Sequence, residues 1–166
     1  MSSSNRISIN DLGYELRMLF GATKMWSLAN SRDFGNPTNY FMDAAFVHTR
    51  NLYNFFSGHA IHDASIRQFT QEQFDLTLYC IWKDALHNHV LHINDSRSTP
   101  NNVINGAHLN EQVQQFTDDI ETLWVKWTEK TTNQTLKNQL TEALENARGE
   151  SQDDYDSIEQ KLAVSK

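Results

Sequence analysis

The chain of 166 residues has one cysteine, Cys80, two prolines and six glycines. A lone cysteine excludes an intramolecular disulfide and a cysteine-built zinc site. So few helix breakers disfavour a fold of many short strands joined by tight turns. Basic residues are in deficit: 14 Lys and Arg face 21 Asp and Glu, a formal net charge of −7. Residues 141–166 carry −4 of it and the other 140 residues only −3. Phosphate neutralisation needs an excess of Lys and Arg, so charge gives RNA no support as a partner. No stretch approaches the roughly 18 apolar residues that a spanning helix requires. The polar start, Met1 to Arg6, has no apolar signal segment. The expectation is a cytoplasmic protein with no membrane contact. A Gly-rich phosphate loop, a nucleophile elbow and a Cys/His nucleophile arrangement are also missing.

What the chain does have is helical periodicity rich in aromatic residues. Ser8 and Asp11 stand at capping-box spacing before Leu12, Leu16, Leu19, Thr23 and Trp26, a stripe that predicts a helix of about 18 residues. Asn36 and Pro37 read as N-cap and first helical residue of a second helix ending near Gly58. Its wheel places Phe41, Ala45, His48 and Leu52 together, so His48 is expected to point into the core. Thr70 and Gln73 form a capping box for a third helix over about 71–93, with Phe74, Leu78, Ile81, Ala85 and His92 on its stripe. Leu109, Val113, Phe116, Ile120, Leu123, Trp124 and Trp127 give a fourth. A weaker fifth, over 133–148, carries Leu136, Leu140, Ala143 and Ala147. The expected fold is all-α, an up-and-down bundle of four main helices plus that weaker one. It forms a single domain over 1–148, and residues 149–166 form an acidic flexible tail.

His48, Asn51, His92 and Arg97 are candidates for a polar cluster in or at the end of the bundle. Imidazole suits general acid–base work near neutral pH, and Arg97 suits an anion such as phosphate. The plainer alternative is two core histidines with satisfied partners. If helices two and three pack antiparallel with level ends, His92 lies roughly 18 Å from the level of His48. Arg50 falls on the opposite face of its helix from His48, so the two are not expected to share a site. Metal ligation by His89 and His92, or by His59, His62 and Asp63, lacks the convergent set of three or four that a metal needs. No metal or cofactor is therefore assigned. Cys80 reads as inert, and the pair Trp124 and Trp127 as core or dimer interface.

The run His48-Thr-Arg-Asn-Leu-Tyr-Asn-Phe-Phe56, followed by His92-Ile-Asn-Asp-Ser-Arg97, resembles an uncharacterised family of bacterial all-helical proteins. In that family His-x-Arg-Asn-Leu-x-x-Phe-Phe is paired with His-[Leu/Ile]-x-x-x-Arg. The similarity extends from Glu15-Leu-Arg-Met-Leu19 to Trp127 and implies a helical fold without implying an activity. A remoter resemblance is to HEPN domains, helical bundles that often act as metal-independent ribonucleases. Arg50-Asn51 fits the start of their signature, but the next histidine, His59, follows only after eight intervening residues. Two functions are therefore carried forward. The first is a bundle acting through self-association, as a homo-oligomer, or through a protein partner. The second is a HEPN-like ribonuclease of a toxin or defence system using Arg50, Asn51, His48 or His92.

Overall fold

The computed structural model describes residues 7–58, 65–91, 103–104 and 106–164. The chain is all-α. Its helices are α1 (Ile9–Ser31), α2 (Asn36–Ser57), α3 (Thr77–Leu91), α4 (Val113–Lys130) and α5 (Gln134–Val164). Among the described residues the only strands are the two-residue β1 (Val103–Ile104) and β2 (Ala107–His108), which pair antiparallel with Gly106 turning between them at φ +82°.

Helix α1 starts as its sequence predicts. The Asp11 N–H donates to Ser8 Oγ at 3.1 Å, and the Ser8 N–H donates to Asp11 Oδ2 at 3.1 Å. Helix α2 has Pro37 in its first turn but no side-chain cap. Asn36, expected as the N-cap, is already helical, and Gly35 precedes it at φ +66°. The other end closes at Gly58 in the left-handed region, φ +70°, as the pattern requires.

Helix α3 departs from expectation at its start. It begins at Thr77, and residues 70–76 are not helical. The Arg67 guanidinium donates to the carbonyls of Gln71 (2.9 Å) and Glu72 (3.2 Å), two acceptors that a helix through 71–76 would need for itself. Thr70 Oγ1 accepts from the Glu72 N–H instead of closing a capping box with Gln73. Asp75 Oδ1 accepts from the Thr77 N–H at 3.0 Å and starts the helix there. The buried face also differs. Tyr79, Trp82, Ala85 and Leu86 are buried, whereas Ile81, assigned to the stripe, is 48% exposed.

The core lies between all five helices, with α5 contributing Leu140, Leu144 and Ala147. Leu12, Leu16 and Leu19 of α1 share it with Ala45, Phe46, Leu52 and Tyr53 of α2 and with Phe116, Ile120 and Trp124 of α4. Inside it, Thr23 and Thr117 share a 2.7 Å hydrogen bond. Tyr53 is fully buried, stacks on Tyr79 at 4.9 Å and donates to Asp119 Oδ2 at 2.7 Å. Tyr53→Phe would keep the packing and leave the Asp119 carboxylate short of a donor. It is expected to cost about 1–3 kcal/mol, read from denaturant unfolding.

The segment from 149, expected as a flexible tail, is a correction. Residues 149–164 are the second half of α5, which spans 31 residues without a break. Helices α5 and α1 run the same way, as the ordered pairs Gly13–Ala143, Lys24–Ser151 and Arg32–Glu159 show. Apolar contact thins past Ala147, and charge takes over. Arg17 pairs with Glu150 and Asp154, and Arg32 with Glu159. Lys24 donates to Ser151 Oγ and Gln152 Oε1. These α1 cations recur seven and eight residues apart, on one face. They absorb acid that in isolation would keep the segment unfolded.

Candidate functional site

Two features stand out on α1 and α2, and they meet at Tyr14. The first is polar. Glu15 projects from α1 one turn beyond Leu12, at the margin of the apolar stripe. Its Oε2 accepts from His48 Nδ1 at 2.8 Å and from Asn51 Nδ2 at 3.1 Å. Asn51 Oδ1 in turn accepts from Arg50 Nη2 at 3.2 Å. A chain of hydrogen bonds thus joins His48, Glu15, Asn51 and Arg50.

Burial pushes the Glu15 carboxyl upward. The hydrogen bonds from His48 and Asn51, with the charges of His48 and Arg50, outweigh it and hold the group below its ordinary value. Glu15 is therefore a carboxylate that can only accept, so His48 Nδ1 carries the proton in this pair. In the neutral ring Nε2 is then the basic nitrogen. Tyr14 packs edge-on against the same imidazole, with centroids 6.4 Å apart. A carboxylate-oriented histidine can accept or deliver a proton, and the neighbouring arginine can hold an anion.

On the other side of Arg50, Tyr79 donates to Asn54 Oδ1 at 2.7 Å and lies 3.4 Å from His87 Nε2.

The expected positions change accordingly. His48 does not sit at the centre of the buried face. That place belongs to Ala45, Phe46, Thr49, Leu52 and Tyr53, and the His48 side chain, 13% exposed, is at the α1 margin. Arg50 was expected to face away from His48, yet both reach the same assembly, because Asn51 and Glu15 bridge them. His92 and Arg97 lie outside the described residues, as do His59, His62 and Asp63. Glu15, Asn54, Tyr79 and His87 were not singled out as site residues. The available signal was a carboxylate three residues after Leu12 and four before Leu19, on the flank of a core stripe.

The second feature is an apolar groove of 790 Å³ bounded by α1, α2 and the second half of α5. Helix α1 lends it Tyr14, Met18, Gly21 and Met25, spaced four, three and four residues apart. Phe41 and Ala44 form the α2 wall, and Ser151, Tyr155 and Ile158 the α5 wall. Tyr40 and Tyr14 stand 71% and 56% exposed at its rim. A methyl group added at Gly21 would meet nothing within 4 Å, so the groove is open above it. Comparison with protein-family models, curated proteins and solved structures finds no match for the chain.

Proposed function

We propose that the protein acts by docking a helix in the groove between α1, α2 and α5, with a second copy of the chain as the occupant. The observation that carries this is the α1 line Tyr14, Met18, Gly21 and Met25, spaced as in a coiled-coil seam, flanked by Phe41 and Ala44 of α2 and by Tyr155 and Ile158 of α5. Together they are the inner walls of a helical bundle with one position open. Tyr14 to Met25 covers 12 residues of α1, and its 11 steps rise about 16 Å, three helical turns of contact. Methionine at two of the four α1 positions gives a surface that adapts to the incoming side chains, and Gly21 admits close approach. Exposed tyrosines at the rim add contact area at small entropic cost.

Each copy carries −7, so association is opposed by charge and should strengthen as salt screens it. In sedimentation velocity the wild type is expected to self-associate, more strongly at higher salt. Met18→Glu places a charge on the apolar line and is expected to weaken association by about tenfold or more, or roughly 1.4 kcal/mol. A wild-type chain that stays monomeric as its concentration rises overturns this reading.

A second reading, metal-independent cleavage of RNA by a HEPN-like site, draws support from the meeting of Arg50, Asn51 and His48 at Glu15. It expects cleavage in the presence of a chelator and none in Arg50→Ala.

A further inference from the structure

We propose that residues 150–164, the second half of α5, form a strap that detaches from α1 as a unit and so removes one wall of the groove. Its hinge is Gly149. Before the hinge, Leu140, Leu144 and Ala147 are buried in the core, and Arg148 pairs with Glu121 of α4. After it only Ser151 is buried, and the apolar Tyr155, Ile158 and Leu162 are no more than half-buried. A Cβ at Gly149 would meet nothing within 4 Å, so packing does not demand glycine there. Glycine inside a helix favours the unwound chain, which weakens α5 where its core contact ends.

Charge and hydrogen bonds carry much of the hold beyond the hinge. Arg17 pairs with Glu150 at 2.5 Å and Asp154 at 3.2 Å, and Arg32 pairs with Glu159 at 3.2 Å. Lys24 donates to Gln152 Oε1 at 2.8 Å and to Ser151 Oγ at 3.2 Å. The ion-paired side chains are 31–61% exposed, and links this open to solvent hold weakly one by one. Released, the segment opposes its own helix. Glu150, Asp153, Asp154, Asp156 and Glu159 follow one another with no Lys or Arg between them, and carboxylates three and four apart repel. A free helix of about 15 residues is marginal in water even without that repulsion. The detached strap therefore unwinds.

Detachment takes Ser151, Tyr155 and Ile158 away from the groove. A helix docked against that wall binds the attached state alone, so docking and attachment strengthen each other. This coupling rests on the groove being a docking surface; the detachment does not.

The test is amide hydrogen exchange of the full chain, read by mass spectrometry, at a concentration where sedimentation finds monomer. Ionic strength is held at about 0.1 M, which leaves contact pairs in place. In the wild type, peptides within 150–164 are expected to exchange at least about tenfold faster than those within 134–147. Lys24→Gln combined with Arg32→Gln is expected to speed 150–164 by a further factor of about five. Gly149→Ala is expected to slow it about fivefold. Neither change is expected to alter 134–147. Equal protection of the two halves overturns the strap, as does a double variant that leaves 150–164 unchanged or speeds both halves alike. A Gly149→Ala chain that exchanges like wild type overturns the hinge. Sedimentation of Gly149→Pro reads the coupling, because proline breaks the helix while the charge and the groove lining stay as they are. It is expected to associate about tenfold more weakly than wild type or less. Equal association overturns the coupling and leaves docking standing. A wild type that stays monomeric removes docking, and the exchange data then decide the strap.

Discussion

Trp127→Ala is expected to lower the unfolding free energy by about 3–5 kcal/mol, the range for removing a large aromatic side chain from a packed core. Trp127 is 1% exposed. Its ring lies 5.5 Å from Phe55, 6.1 Å from Phe56, 5.4 Å from Phe69 and 5.4 Å from Trp124, centroid to centroid. It therefore joins the end of α2, the non-helical run after Phe69 and the end of α4. Alanine would leave a cavity that three separate segments must collapse to fill.

Chemistry at the ring nitrogen sharpens the prediction. Among the described residues the buried Trp127 Nε1 has no acceptor, whereas Trp124 Nε1 donates to the Leu140 carbonyl at 3.0 Å. Phenylalanine at 127 removes volume and an unsatisfied donor together. Phenylalanine at 124 removes volume and a buried hydrogen bond, although the Leu140 carbonyl keeps its partner within α5. Trp124→Phe should therefore be the more damaging of the two, by about 1 kcal/mol. Denaturant unfolding followed by far-UV circular dichroism measures all three variants. A Trp127→Ala protein within about 1 kcal/mol of wild type would mean that the Phe69 segment does not pack against α4.

The periodic positions of α1 and α4 were legible because burial decides them, whereas on α2 only Ala45 and Leu52 of the expected stripe are buried. Leu12, Leu16 and Leu19, and Phe116, Ile120 and Leu123, are all buried as their spacing demands. The start of α3 was not legible, because Thr70 and Gln73 have the right spacing while Arg67, three residues earlier, takes the carbonyls that the helix would use. Likewise, in 149–164 only Tyr155, Ile158 and Leu162 hint at a short amphipathic helix, and the acidic composition reads equally as disorder. It continues the packed first half of α5, and its polar partners Arg17, Lys24 and Arg32 lie more than a hundred residues away in sequence.

The same limit applies at the site. A wheel drawn on α2 alone separates His48 from Arg50, and only a carboxylate on α1 brings them together. Intra-helix geometry is readable from spacing, and inter-helix polar bridges are not.

That bridge has a pH signature. Glu15→Ala strands His48 Nδ1 and Asn51 Nδ2 in a partly buried position and is expected to cost about 2 kcal/mol at neutral pH. Glu15→Gln keeps an acceptor oxygen but not the charge, so it isolates the ionisation. In the folded chain the Glu15 carboxyl is held below its ordinary value of 4.5. A carboxylate favoured by folding contributes stability that is complete above pH 4.5 and is lost as pH falls through the folded value. The stability of wild type minus that of Glu15→Gln is therefore expected to be largest near neutral pH and to shrink on acidification below about 4.5. Asp119 works in the opposite sense, since burial raises its carboxyl and acid relieves the cost of keeping it charged. Asp119 is present in both proteins and cancels in the difference. Urea unfolding at a series of pH values supplies the curve. A difference that stays flat on acidification would mean that Glu15 does not hold its charge against His48 and Asn51, and the proton assignment at His48 Nδ1 would fall with it.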